Sequence, residues 1–399
     1  MRRRSIFGLF AAAMVMAVLF GIAAPSAAVP VFARKYGYNC TMCHSNFPRL
    51  NDYGQRYRLN GYRLPGREDD DKTVLETPAP FAMRTSAGFN SDKFKNTVDS
   101  TDVDQFQLNG LDILSGGLIG RDVGYFMIYT PQINGSRGVV AQDGSLEMAN
   151  VVFALPKRMF NTVRVGRFEP AYVAISAKRS LTFSPYEIYD VAYPAGLPFS
   201  DTQTGIEFAG AGRCGIRYAA GWVNGTSNNT DDDMPSDLYV RVAKVFGEGE
   251  GQTAGQRIGM VSYIGKARPE SGVGSRRTVK RFGADGSFNW TGINLSCQYM
   301  RGRDAAGIWD TGLAYKFSGG FVEASWLPTH MAVGFARYDW VNRPTVDEGG
   351  DVRRWTVGGR YYFEDNLALH VEYSDRREDR LVGPAATERM FTVRLDFAF

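Results

Sequence analysis

The last stretch of the chain alternates with a period of two. Phe391, Val393, Leu395, Phe397 and Phe399 share one face, and Thr392, Arg394, Asp396 and Ala398 share the other. Successive side chains of a β-strand point to opposite faces, so this segment reads as a strand with one apolar and one wet side. The pattern recurs upstream. Trp355, Val357, Tyr361 and Phe363 oppose Arg354, Thr356, Arg360 and Tyr362, and Leu367, Leu369, Val371 and Tyr373 oppose His370, Glu372 and Ser374. Beyond residue 80 no apolar period of 3.6 is sustained, and short alternating runs are broken by Gly, Asn and Asp, with 45 Gly and 13% aromatics in 399 residues. A helical bundle is thereby excluded.

Two architectures hide one face of such a sheet: a soluble sandwich with its apolar side inward, and a membrane barrel with its apolar side in lipid. Aromatic residues crowd the strand ends and the chain closes on Phe399, as the interfacial girdle of a barrel requires. Connections also alternate in length, with long polar segments at 224–235, 266–277 and 342–350 against tight turns at Ala211-Gly212 and Glu364-Asp365-Asn366. Short turns on one side and long loops on the other are the barrel arrangement. The fold class expected is therefore mainly β, an antiparallel outer-membrane barrel over residues 81–399. Counting gives about sixteen strands, provided that residues 311–327 form one strand bent at a bulge on Gly319-Gly320. Pro328-Thr329-His330 then becomes a periplasmic turn.

The N-terminus supplies the address. Arg2, Arg3 and Arg4 precede an apolar run from Ile6 to Ala24 and a small-residue site at Ser26-Ala27-Ala28. Residues 1–28 read as a cleaved export signal, with an anchoring helix as the alternative. The net charge of +4 is spread over scattered Lys and Arg, which gives no nucleic-acid footprint. No nucleotide-binding loop, zinc-hydrolase helix or acyl-transfer elbow is present.

Cys40-Thr41-Met42-Cys43-His44 is the motif that carries chemistry. C-x-x-C-H is the signature of a c-type haem: two thiols close enough to bond both vinyl groups of one porphyrin, and an adjoining imidazole for the proximal iron position. With 4 Cys and 3 His in the chain, the motif is expected by chance only about three times in ten thousand. Half of a zinc site, or a disulfide with a bystander histidine, are the bland alternatives. Residues 29–80 are too few to bury a self-sufficient core. A haem would supply the missing apolar bulk, against a face made by Leu50, Tyr53 and Tyr57. Glu68 to Asp71 reads as a solvated acidic linker.

Phe32-Ala33-Arg34, the motif itself, Phe47-Pro48-Arg49-Leu50-Asn51 and the run from Tyr53 to Tyr62 resemble the N-terminal cytochrome segment of the fused monohaem cytochrome-porins. That family includes outer-membrane iron oxidases of iron-oxidising bacteria. The resemblance implies one covalent haem on Cys40 and Cys43, His44 as proximal ligand, and a small helical cytochrome domain plugging a porin-like barrel. It further implies an electron conduit from extracellular ferrous iron to a periplasmic cytochrome or other soluble carrier, an iron-oxidising oxidoreductase. A shorter likeness to phosphate-selective porins lies at Val165-Gly166-Arg167-Phe168. The same parts also suit outward electron transfer, a solute porin with an accessory haem domain, or a haem sensor anchored by the barrel.

The sixth iron position is the open point. Met42 is too near in sequence to reach around the ring, and Met83 is in phase with Phe81 and Phe89, which aims it at lipid. His370, on the lumen face of its strand near the Asn366 turn, is the candidate distal ligand, with His330 and Met159 as weaker rivals and an open site as the remaining alternative. Cys214 and Cys297 fall in phase with apolar neighbours on separate strands and read as free, lipid-facing hydrophobes. Asp231-Asp232-Asp233 lies in a long loop, either a solvated tip or a concentrator of cations.

Overall fold

The computed structural model describes residues 31–38, 42–46, 48–77, 80–96, 99–131, 144–155, 160–190, 199–226, 235–247, 255–269, 274–308, 313–344, 350–380 and 383–398. The expected signal (residues 1–28), Cys40, Met159, Asp231-Asp232-Asp233 and Phe399 lie outside them. Two short helices, α1 (Val31–Tyr36) and α2 (Asp52–Leu59), flank a small hairpin of β1 (His44–Asn46) and β2 (Arg49–Leu50). Sixteen strands follow: β3 (Phe81–Lys95), β4 (Ser100–Gly120), β5 (Val123–Thr130), β6 (Ser145–Leu155), β7 (Phe160–Phe168), β8 (Gln203–Ala211), β9 (Ile216–Val223) and β10 (Asp237–Phe246), then β11 (Gln256–Ala267), β12 (Arg277–Trp290), β13 (Ile293–Asp304), β14 (Tyr315–Thr329), β15 (Ala332–Asn342), β16 (Val352–Glu364), β17 (Leu367–Glu378) and β18 (Ala386–Ala398). Each pairs antiparallel with its sequence neighbours, and β18 pairs with β3 to close the barrel.

The barrel is inverted relative to a soluble protein. Trp355 is 60% exposed on the outer wall while its neighbour Arg354 is 5% exposed in the lumen. Val357, Tyr361, Val371, Tyr373 and Phe391 face outward, and Thr356, Arg360, His370, Glu372, Ser374 and Thr392 are buried inside. That is the arrangement for lipid outside and polar contents within. Connections at 121–122, 291–292, 330–331 and 365–366 are tight, whereas those at 131–144, 169–202, 224–236 and 343–351 are long. The first set marks the periplasmic side by the rule for such barrels.

β14 is one strand, as the count of sixteen requires, but its glycine pair is not a bulge. Gly319 and Gly320 keep continuous register with both neighbours, and the irregularity falls between Trp326 and Thr329. The glycines make room instead: a Cβ on Gly319 would press on the backbone of Trp340 and Val341 and on Ile188. Cys214 is likewise not on a strand. It sits in the turn between β8 and β9 at φ 59°, while Cys297 stays on β13, paired with outward-facing Val322. Cys43, Cys214 and Cys297 are free thiols.

Two inserts occupy the lumen. From the long-loop side, the β7–β8 connection folds inward, and Tyr172, Tyr186, Ile188, Tyr189 and Phe199 pack against inward residues such as Tyr239, Tyr263, Phe317 and Phe321. Its backbone is pinned by Glu372, whose carboxylate accepts from the amides of Phe183 (2.7 Å) and Ser184 (2.8 Å) and from the Ser184 hydroxyl (2.6 Å). Arg337 donates to the carbonyls of Ser184 (2.9 Å) and Pro185 (2.6 Å) and lies over the Tyr186 ring. From the tight-turn side comes the N-terminal segment. Arg63 pairs with Asp122 (2.7 Å) and Asp69 with Arg121 in the β4–β5 turn, and Asp52 with Arg217. Gly124 accommodates it, since a Cβ there would meet the Gly61 carbonyl oxygen at 2.2 Å.

Glu323 joins the inserts. Its carboxylate pairs with Arg49 of the N-terminal hairpin and accepts from the Tyr186 hydroxyl of the inserted loop (3.0 Å). Glu323→Ala leaves the half-buried Arg49 without its counter-ion, at a cost of up to roughly 3 kcal/mol. It is expected to raise single-channel conductance in a planar bilayer and to expose the loop to protease. Val357→Arg places a charge on the lipid face, costing about 2–4 kcal/mol if at mid-bilayer depth. It is expected to lower the urea midpoint of the heat-modifiable folded band on gels.

Candidate functional site

Between the N-terminal segment and the wall of β3–β7 lies an apolar cavity of about 1490 Å³, open solvent at its mouth included. Cys43 and His44 form part of its wall, with Phe32, Tyr36, Leu50, Tyr57 and Leu64 from the same segment. Leu114, Phe126, Ile128, Met148 and Phe168 come from the barrel, and Lys178 and Arg179 from the inserted loop.

The local sequence explains how the motif is held. Asn51 caps α2, its Oδ1 accepting from the Gly54 amide (2.9 Å), and it also binds the motif: its backbone amide donates to the Cys43 carbonyl (2.9 Å) and its Nδ2 to the Met42 carbonyl (2.9 Å). Helix and motif touch so closely at Gly54 that a Cβ there would fall 2.2 Å from the Cys43 carbonyl oxygen. The expected single helical face of Leu50, Tyr53 and Tyr57 is not formed as such: the two tyrosines are buried on α2, Leu50 lies on β2, and Leu50 and Tyr57 line the cavity. Asp71 is no solvated linker residue. Its buried carboxylate accepts from Lys35 (2.6 Å), the Tyr36 hydroxyl (2.8 Å) and the Leu64 amide (2.9 Å), tying α1 to the segment. In the same run Glu68 is half-buried and Asp69 is exposed, beside Arg121.

His44 Nδ1 is 3.0 Å from the Pro48 carbonyl oxygen. With its proton donated there, Nε2 carries the lone pair that a metal would take, and the ring is oriented for it. Burial pushes the His44 imidazole down to about 4, so it is neutral at ordinary pH, as a ligand must be. Burial pushes the Cys43 thiol up to about 11. A haem fits this donor set on observations of the cavity itself: one motif thiol and the imidazole in the wall, apolar sides for the macrocycle, and cations for its propionates. Among these is Arg164, 5% exposed, whose Nε has no hydrogen-bond partner although its terminal nitrogen pairs with Glu207 (3.0 Å). A zinc site would need more ligands at Cys43, and among the described residues no group of three or more His, Cys, Asp or Glu is placed to hold a metal ion.

His370 is not brought to this cavity. Its Nδ1 accepts from Arg360 Nε (2.9 Å), its Nε2 lies 3.2 Å from Glu372 Oε2, and its ring stacks on Phe335. Both nitrogens are spent orienting the carboxylate that pins the inserted loop. His330 is an exposed residue of the β14–β15 turn, also away from the cavity. Asn51, Gly54, Arg164 and Met148 are absent from the expected site. Asn51 as a helix cap three residues before Gly54 was the available signal. Met148 left none, because both faces of β6 are apolar and alternation gives no direction.

Comparison with known proteins supports the barrel. No curated protein matches the chain. Among solved structures, the anion-selective porin from Comamonas acidovorans aligns with a TM-score of 0.60 at 13% identity, covering 80% of this chain and 99% of that one. The outer membrane channel DcaP of Acinetobacter baumannii gives 0.58 at 10% identity over 80% and 97%. OmpF of Salmonella typhi, in complex with daunomycin, gives 0.56 at 14% identity over 80% and 97%. These likenesses establish the porin fold. Residues 82–399 match the family described as phosphate-selective porin O and P, and the chain belongs to that family of outer-membrane porins.

Proposed function

We propose that this porin-family barrel carries one covalently attached haem in its lumen and conducts electrons across the outer membrane, from extracellular ferrous iron to a periplasmic electron carrier. The observation that carries the reading is the apolar cavity walled by Cys43 and His44. About half of its lining, the motif residues among them, precedes the family match at 82, so the porin family by itself does not account for the motif side of the cavity. Haem, when bound, supplies a one-electron iron couple. Cys40 and Cys43 would hold it by thioethers and His44 Nε2 would bind the iron. Asn51 and Gly54 position the motif backbone. Arg164 and Arg179 face the cavity as partners for propionates, and the apolar lining excludes water, which tunes the potential. The pairing of Arg63 and Asp69 with the β4–β5 turn would give a periplasmic carrier the nearer approach, and Lys178 and Arg179 bring the inserted loop to the cavity's other side.

A second reading, a solute pore for anions, rests on the family match and on an adjoining polar cleft that shares Arg58, Arg164 and Arg179 with the cavity. Arg58, Arg164, Arg179, Arg217, Arg241 and Arg257 line it with Glu169 and Glu207; the Nε atoms of Arg164, Arg217 and Arg241 have no hydrogen-bond partner, whereas Arg257 Nε lies 3.3 Å from Asp285. The two readings part on a direct measurement. The purified, oxidised holoprotein is expected to show prompt haem reduction on adding stoichiometric ferrous iron, with low conductance in a planar bilayer. A spectrum unmoved by iron together with sustained anion conductance would establish the pore and sink the conduit.

Gly54→Ala is expected to lower the haem-to-protein ratio severalfold by displacing the Cys43 carbonyl. Gly334→Ala, where a Cβ meets nothing within 4 Å, should leave that ratio unchanged. Equal haem content in both would remove the positioning role of Gly54.

A further inference from the structure

We infer that Met148 is the distal axial ligand of the iron, opposing His44. The assignment rests on the haem reading above. Two methionines are among the cavity-lining residues, Met83 and Met148. Strand register separates them. Met148 pairs with buried Ile128 on β5, lies in phase with buried Asn150 and Val152, and is 2% exposed, so its side chain is on the inner face of β6. Met83 is in phase with Phe81, which is exposed on the outer wall, while Ala82 between them is buried.

The Tyr36, Tyr57 and Lys178 donors at the cavity are committed elsewhere. The Tyr36 and Tyr57 hydroxyls are 3.2 Å apart, and Tyr36 donates to Asp71. Lys178 pairs with Glu147 at 3.2 Å. The Met148 thioether is a soft donor on the barrel wall, and His44 comes from the segment that the wall encloses. Ligation by one residue of each would lock the segment into the lumen through the iron. Histidine with methionine raises a haem potential relative to two histidines, which suits an acceptor for ferrous iron. The rival role is ordinary: methionine fills irregular gaps in apolar cores.

The experiment uses the full-length holoprotein. Haem content is read from the pyridine haemochrome of denatured protein, and ligation from the far-red sulfur-to-iron charge-transfer band of the oxidised form. Wild type and Met83→Leu are expected to show the band. Met148→Leu, which keeps the volume and removes the sulfur, is expected to lose it with haem content retained. Met148→His should restore a low-spin spectrum without the band and lower the midpoint potential. A band that survives in Met148→Leu, or a haem-loaded wild type without one, overturns the assignment while leaving the haem reading intact. Wild type purified without covalent haem after expression with the attachment machinery overturns both.

Discussion

Inside a bilayer no water is available to an unpaired amide or carbonyl, so every strand edge must be covered. The pairing of β18 with β3, continuous from Thr387↔Lys95 to Ala398↔Arg84, removes the last two edges. Everything else in the molecule follows from that closure. Sixteen strands enclose a lumen too wide for side chains alone to fill, so the chain supplies a loop from one side and its N-terminal segment from the other.

Because those inserts meet the wall through charged groups, the lumen is a network rather than an oily core. Glu323 receives Arg49 and Tyr186 from the two inserts, and Glu372, steadied by His370, holds the loop backbone. Buried ionic groups of this kind are costly to break and specify one arrangement of the parts. The N-terminal region is the exception to the polar lumen. There Phe126, Ile128, Met148 and Val152 turn an apolar inner wall toward Phe32, Tyr57 and Leu64. This is the place where an apolar cofactor would be sheltered, and it lies beside the motif whose chemistry calls for one.

The role of His370 shows how a correct face can lead to a wrong partner. Alternation places it in the lumen, and it is there. Whether it meets a cofactor depends on Arg360, ten residues earlier on the neighbouring strand, and on Glu372 beside it. Cys214 illustrates the complementary error, since its apolar neighbours suggested a strand whereas the chain there is already turning. Asp71 read as solvated because of its acidic neighbours, yet it is the buried anchor of α1.

The sequence alone determined the period-two strands, their outward faces, the alternation of short and long connections and the C-x-x-C-H motif, because each is encoded by residues close together in the chain. Strand direction and lumen parity followed from counting. Only the tertiary structure decided what the lumen contains. The cavity at His44, the inward aim of Met148 and the double engagement of Glu323 join residues far apart in the chain, 274 positions apart for Arg49 and Glu323. Such contacts depend on the register and closure of the whole barrel, which no local pattern specifies.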